Sequence, residues 1–286
     1  MTRLSIITAV YNCLDYTKNY IYSLENSLKR ITNLEYEILI VDDCSSDGSR
    51  KYLKSIESNV IRVFFNDSNM GFSWNNNFGA SKAKYNIYAF LNNDLVLKEG
   101  WLEPMIDVLD LYDNAGSVGN IQVNPNTGLI DHAGIFFDLL GKPAHAWKNR
   151  LKPPKQKITE WNAVTAACMI VKKEIFWEVN GFDISYINGC EDVDFCIKLK
   201  KAGYNNYVAN TSVIKHHVST SEGRHDFNAK NTEILLKKWH SVTENWGESE
   251  WPIAYLQRYA RQWWRFNIVK LIKAIWLIIR RKFCFS

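Results

Sequence analysis

The sequence predicts an α/β fold on a largely parallel sheet with a mixed extension, and three observations carry that prediction. Strand-like apolar runs alternate with helix-like runs through the first 120 residues, the second half keeps both element types but loses the alternation, and polar residues gather where the early strands end. At 286 residues and 47% hydrophobic content, the chain can bury a full core as one large domain or one domain with appendages.

Leu4 to Val10 is an apolar strand, Tyr16 to Lys29 a helix, Tyr36 to Val41 a second strand, and Ser49 to Ser55 begins a second helix. Ile61 to Phe65, Asn75 to Lys84 and Ile87 to Leu91 repeat the pattern. Leu102 to Tyr112 is a helix whose Leu102, Ile106 and Leu109 share one face. Such alternation predicts a parallel sheet covered on both faces. Further on, Leu129 to Phe137 and Ala163 to Val171 read as strands, Lys173 to Val179 and Val193 to Lys201 as helices, and Asn206 to His217 as one or two short strands. Asn228 to His240 reads as a closing helix, and Lys148 to Lys157, with Pro153-Pro154, as a mobile surface loop. The expected division is 1–245 for the main domain, with halves 1–120 and 121–245, followed by a helical tail at 246–286.

The net charge of +5 is unevenly placed. Eight Lys or Arg and no acid fall between Arg258 and Ser286, so the preceding 257 residues hold 27 basic against 30 acidic side chains, a balance of −3. The basic tail is interleaved with Trp263, Trp264, Phe266, Trp276 and Phe283, which favours a membrane surface over nucleic acid. Its longest uncharged run is Ala274 to Ile279, far short of the roughly 20 residues that span a bilayer. A helix packed on the domain and a homodimer contact are the alternatives for it. The six cysteines form no Cys-x-x-Cys pair and no secretory leader is evident at Met1-Thr2-Arg3, so reduced thiols and a cytoplasmic location, peripheral on the inner face of the membrane, are expected.

The polar strand ends carry the chemistry. Strand one ends at Val10-Tyr11-Asn12, strand two at Asp42-Asp43-Cys44-Ser45, strand three leads to Asn69-Met70-Gly71, and strand four ends at Asn92-Asn93-Asp94. In a parallel sheet these fall on one edge, where α/β proteins bind ligands. Asp42 can accept the imide N–H of a pyrimidine, Tyr11 can cover a base, and Gly71 permits close backbone approach. Each also has a plain structural use: Asp47-Gly48 is a turn and helix cap, and Asn92-Asn93-Asp94 an Asx turn.

Thr8-Ala9-Val10-Tyr11-Asn12, Val41 to Ser49, Asn69-Met70-Gly71-Phe72, Asn92-Asn93-Asp94, and Gly181-Phe182-Asp183 followed by Glu191-Asp192-Val193-Asp194 together resemble the ordered motifs of family 2 glycosyltransferases with the GT-A fold, of the non-processive, rhamnosyltransferase-like branch. The resemblance covers about residues 3 to 240. It implies an inverting transfer of a sugar from a UDP- or dTDP-linked donor to a glycan or lipid-linked glycan acceptor, in bacterial surface polysaccharide or glycolipid assembly. It places the donor on Thr8, Val10, Tyr11, Asn12, Asp42, Asp43, Ser45, Asn69, Gly71, Asn75, Asn92, Asn93 and Arg224. It makes Asp192 the catalytic base, with Glu191 positioning acceptor or base and Asp194 in support; helix capping is the alternative use of Glu191 and Asp192. Asp94 and His216 are the expected ligands of Mg²⁺ or Mn²⁺. Asn92 stands where the family commonly has a carboxylate, leaving Asp94 the only one at that strand end. The loop from Ser219 to Asp226 is expected to fold over the nucleotide, with Arg224 or His225 on phosphate oxygens. Two other readings are a sugar-nucleotide nucleotidyltransferase, disfavoured because Tyr11-Asn12-Cys13 replaces a Gly-rich phosphate loop, and an inactive nucleotide-sugar-binding protein.

Overall fold

The computed structural model describes residues 1–217, 227–259 and 263–284. The first half alternates β1 (Thr2–Val10), α1 (Leu14–Leu28), β2 (Leu34–Asp42), α2 (Ser49–Ser55), β3 (Ile61–Phe65), α3 (Gly71–Lys82), β4 (Ile87–Leu91), β5 (Leu95–Val96), α4 (Glu103–Leu111) and β6 (Ala115–Val123). The second half comprises β7 (Ile130–His132), β8 (Ile135–Phe137), β9 (Pro143–His145), β10 (Ile158–Trp161), β11 (Cys168–Lys172), α5 (Lys173–Glu178), α6 (Glu191–Lys201), β12 (Asn205–His216), α7 (Asn228–Tyr259) and α8 (Ile268–Cys284). The main sheet runs β10-β12-β6-β11-β4-β1-β2-β3, with β5 on β12 and β7 on β6.

The four early strands pair in parallel, β3-β2-β1-β4, which puts their carboxyl ends on one edge. Their side chains are buried on both faces: Leu4, Ile6, Ile7, Ile38, Leu39 and Ile40 are inaccessible, the pattern of a sheet sandwiched between helices. The antiparallel strand β11 then joins this unit to the parallel pair β6 and β12. β6 was not expected as a strand. Its sequence, AGSVGNIQV, mixes glycine and polar residues, yet almost all of it is buried. Gly119 admits Val164, whose Cβ would lie 3.0 Å from an added methyl group. The polar residues find partners on β12: Ser117 donates to Asn206, Asn120 to Ser212, and Gln122 meets His216.

Several predicted boundaries move. The run Leu129 to Phe137 divides into β7 and β8 at Gly134, whose φ of +112° and contact with the Trp161 indole leave no room for a side chain. Of Ala163 to Val171, only the part from Cys168 is strand. α3 begins at Gly71 rather than Asn75, and β12 is one long strand with an irregularity between Ala209 and Val213.

α7 continues well past His240, so the expected boundary at 245/246 falls inside a continuous helix. Contacts along its length explain this. Gly247 packs so close to the Asp138 carbonyl that an added methyl would sit 2.0 Å from the oxygen. Three residues on, Glu250 accepts the Phe137 N–H at 2.9 Å and the Asn162 amide at 2.8 Å. α8 folds back on α7 through buried Ala274 and Leu277 and leaves Ile268, Ile272, Ile275, Trp276 and Ile279 exposed. Among the described residues no helix is long and apolar enough to cross a membrane.

Burial, outweighing the N–H of Phe137 and the Asn162 amide, pushes the Glu250 carboxyl up to about 7 from an ordinary 4.5. A raised acid binds its proton more tightly in the folded state, so its contribution is complete below 4.5 and is lost as pH rises through about 7. Glu250→Gln should therefore lose less thermal stability than the wild type between about pH 5 and about pH 8. Melting curves of the two proteins that shift in parallel over that range would contradict it.

Candidate active site

The strand-end edge is organised by carboxylates with different jobs. Asp43, almost fully buried, accepts from the backbone N–H of Met70 at 2.6 Å and Gly71 at 3.0 Å and from the Asn66 amide at 3.1 Å, fixing the turn before α3. Gly71 holds a φ of +81° in that turn. Asp47 accepts from Leu14 N–H at 2.9 Å and from the N–H and hydroxyl of Ser49, tying the starts of α1 and α2 together. Burial opposes its charge, but these bonds hold the carboxyl below its ordinary value. Asn12 and Ser45 lace the first two strand ends: Asn12 N–H donates to Ser45 Oγ and Ser46 N–H to Asn12 Oδ1, each at 2.8 Å.

Asp42 is different. Its Oδ2 accepts from Ser45 N–H at 3.2 Å and lies 3.6 Å from the Arg50 guanidinium, while Oδ1 is buried with no hydrogen-bond partner. A buried unsatisfied acceptor is costly and rare, and a ligand N–H would satisfy it. Tyr11 stands 40% exposed at the neighbouring strand end, and Asn69 is exposed on the turn before Gly71.

Other residues expected around the donor are committed elsewhere. The Thr8 hydroxyl lies 2.6 Å from Tyr20 OH inside the core, and Val10 packs in the same apolar cluster. Alternation along a strand explains both: residues two apart share a face, and this one is turned to α1. Asn75 bonds Gly71 O and Asn66, supporting the Asp43 turn from within α3. Asn93 reaches Thr17 on α1 at 2.9 Å. Arg224, with His225, lies outside the described residues.

At the end of β4, Asp94 and His216 meet. Antiparallel pairing of β5 with β12 sets Leu95 opposite His216, and the Asp94 carboxylate reaches His216 Nε2 at 3.2 Å, both residues almost fully buried. Gln122 Oε1 stands 2.7 Å from His216 Nδ1. With Nδ1–H donating to Gln122, Nε2 presents a lone pair toward the carboxylate, an arrangement that suits a proton or a cation between them. Gln122 was not anticipated, because its strand was not recognised. Among the described residues no third His, Cys, Asp or Glu joins this pair as a metal-binding group.

Glu191 and Asp192 open α6, where the helix dipole favours negative charge. Asp192 Oδ1 accepts its neighbour Val193 N–H at 2.8 Å and Oδ2 accepts Ala166 N–H at 3.1 Å. Ala167 in turn accepts the Asn92 N–H at 2.9 Å. Two backbone links thus bring Asp192 beside the end of β4. Glu191 is buried and accepts the Gly189 N–H at 2.5 Å, bracing the turn through Cys190, whose φ is +68°. Asp194 does not support the base as expected. A helix advances about 100° per residue, so Asp194 faces away from Asp192 and anchors α7: its Oδ1 accepts from Lys238 at 2.6 Å, Trp239 Nε1 at 2.7 Å and Tyr186 OH at 3.3 Å.

A family model described as glycosyl transferase family 2 matches residues 5–179. An uncharacterized protein of Sinorhizobium fredii is 30% identical over 217 residues, covering 71% of this chain and 23% of that protein. An N-acetylglucosaminyl-diphospho-decaprenol L-rhamnosyltransferase of Mycobacterium tuberculosis is 23% identical over 269 residues, covering 83% of this chain and 85% of the relative. The chain thus spans about a quarter of the first relative and most of the second. Among solved structures, GalNAc-T7 with UDP, GalNAc and Mn²⁺ superposes with a TM-score of 0.66 at 16% identity, covering 87% of this chain and 51% of that one, a likeness of fold. The match over residues 5–179, more than half of the chain, makes this chain a member of glycosyl transferase family 2.

Proposed function

We propose that the chain moves a sugar from a nucleoside diphosphate to an acceptor hydroxyl, with inversion, in the assembly of a bacterial surface polysaccharide or glycolipid. The observation that carries the reading is the placement of Asp192 beside the strand end where Asp94 and His216 meet. In one displacement, the acceptor oxygen attacks the anomeric carbon as its bond to the diphosphate breaks on the opposite face. Asp192 takes the hydroxyl proton, and Glu191 keeps the turn that presents it. The unsatisfied oxygen of Asp42 accepts the imide N–H of uridine or thymidine, with Tyr11 against the base. The relative named for transferring L-rhamnose to N-acetylglucosaminyl-diphospho-decaprenol supports a deoxyhexose donor and a lipid-linked acceptor.

Asp94 and His216 fit Mg²⁺ or Mn²⁺ as an oxygen and nitrogen pair whose remaining positions diphosphate oxygens and water would fill. Bound there, the ion would offset charge on the departing diphosphate. The exposed apolar stripe of α8, flanked by Lys273 and Arg280, supports a peripheral place on an anionic leaflet.

Asp192→Asn should lower transfer by roughly 10² to 10⁴ while nucleotide binding persists; turnover near the wild-type rate would move the base elsewhere. Asp94→Ala should weaken metal-dependent nucleotide binding more than Asn92→Ala, and full activity in EDTA would remove the ion from the reaction. Liposome sedimentation should show binding to anionic vesicles that weakens as salt rises, since the Debye length is about 8 Å at physiological ionic strength. Equal binding to neutral vesicles, or none to either, would refute the interfacial role of α8.

A further inference from the structure

A second concavity, separate from the strand-end edge, lies between the segment 143–156, strand β10 and the α7–α8 hairpin. Its volume is about 1950 Å³, roughly twice the upper range of an ordinary small-molecule site. Seven Lys or Arg line it against two acids. Lys152 and Lys155 come from the proline-containing loop, Arg258 from the end of α7, and Arg281 from α8. Neither acid faces the cations unengaged: Glu160 is held by Lys200 at 2.7 Å, and Glu250 is spent on Phe137 and Asn162. The indole N–H of Trp161, in the same wall, is buried without an acceptor. Lys148 is paired with Asp131, and the Arg150 guanidinium lies over Trp147 and donates to Gln257 O, so part of the basic lining also braces the wall.

The cavity's position relates it to the reaction. Asn162 lines it, and Ala166, four residues on, holds Asp192. Four residues of fully extended chain span at most about 14 Å, so the wall and the base are separated by no more than a short stretch of sugar. On its other side the cavity reaches α8 at Arg281. A large basic chamber within a short stretch of chain of Asp192 matches a ligand that is a sugar at one end and an anion beyond it.

We propose that this cavity binds the phosphate or diphosphate ester through which the acceptor glycan is joined to its carrier. The proposal rests on the transferase reading for the identity of the acceptor, and on the cavity's charge and place for the anion. Calorimetry on the full chain in EDTA, with inorganic pyrophosphate and with a short prenyl diphosphate in detergent, tests it. Both probes binding alike identifies an anion site; binding of the prenyl ester alone identifies a site for a lipid-borne one. In either case Arg258→Glu with Arg281→Glu should weaken binding about tenfold or more, and added UDP or dTDP should not displace the probe. Lys152→Glu with Lys155→Glu, on an exposed loop, gives the same test should the helix pair disturb folding. No binding to the wild type, wild-type affinity in the variants, or displacement by nucleotide overturns the proposal. Nucleotide binding by the wild type is read separately: its loss would sink the transferase reading and leave the anion site standing.

Discussion

The buried charge of Asp194 is the constraint on which the arrangement of the second half depends. A carboxylate with no solvent contact is tolerated only when opposite charge and hydrogen-bond donors surround it. Here the donors come from three directions: Tyr186 from the segment before α6, Lys198 one turn along α6 at 3.5 Å, and Lys238 and Trp239 from α7. α7 must therefore lie across α6. Its far end then reaches the β8–β9 hairpin and the segment before Ala163, where Gly247 and Glu250 complete the docking. The same helix start that fixes α7 with one carboxylate offers another, two residues earlier, to the opposite side.

The strand-end edge divides its labour likewise. Asp42 is the last residue of β2 and Asp43 the first beyond it, and their environments differ: Asp43 accepts from backbone and amide donors while Asp42 keeps an unused oxygen. Asp47 and Asn12 hold the loops with polar bonds to backbone N–H groups of Leu14 and Ser46. Loops held by a largely satisfied hydrogen-bond network would lose little conformational freedom on binding the nucleotide proposed for this edge.

The first four strands were legible because each is a short apolar run followed by a turn signal, and parallel pairing then forces their ends onto one edge; their order across the sheet is set by pairings that periodicity does not encode. What the chain order could not reveal was side-chain direction at those ends. Thr8 and Val10 are motif residues that serve the core, and Asn75 and Asn93 serve neighbouring turns and helices. β6 escaped because glycine and amide residues at the centre of a sheet depend on partners about ninety residues away, which local periodicity does not register. Missing β6 meant missing Gln122, the neighbour that orients His216. α7 runs on past His240 through Gly247, the point of closest approach to Asp138, and Pro252, which is accommodated within the helix; the docking partners of this extension lie far away in the sequence, where local periodicity does not register them.

The amide and hydroxyl contacts between β6 and β12 also bear on how the chain finds its native pairing. Parallel strands so distant in sequence close late and slowly, because a long loop must be ordered before any contact rewards it. An apolar pair would tolerate sliding by two residues with little loss. Ser117, Asn120 and Gln122 do not: displaced from Asn206, Ser212 and His216, each would enter the core unpaired. The polar ladder acts as a key against mispaired alignments, so that a long-range, entropically demanding pairing is also one that cannot settle in a wrong register.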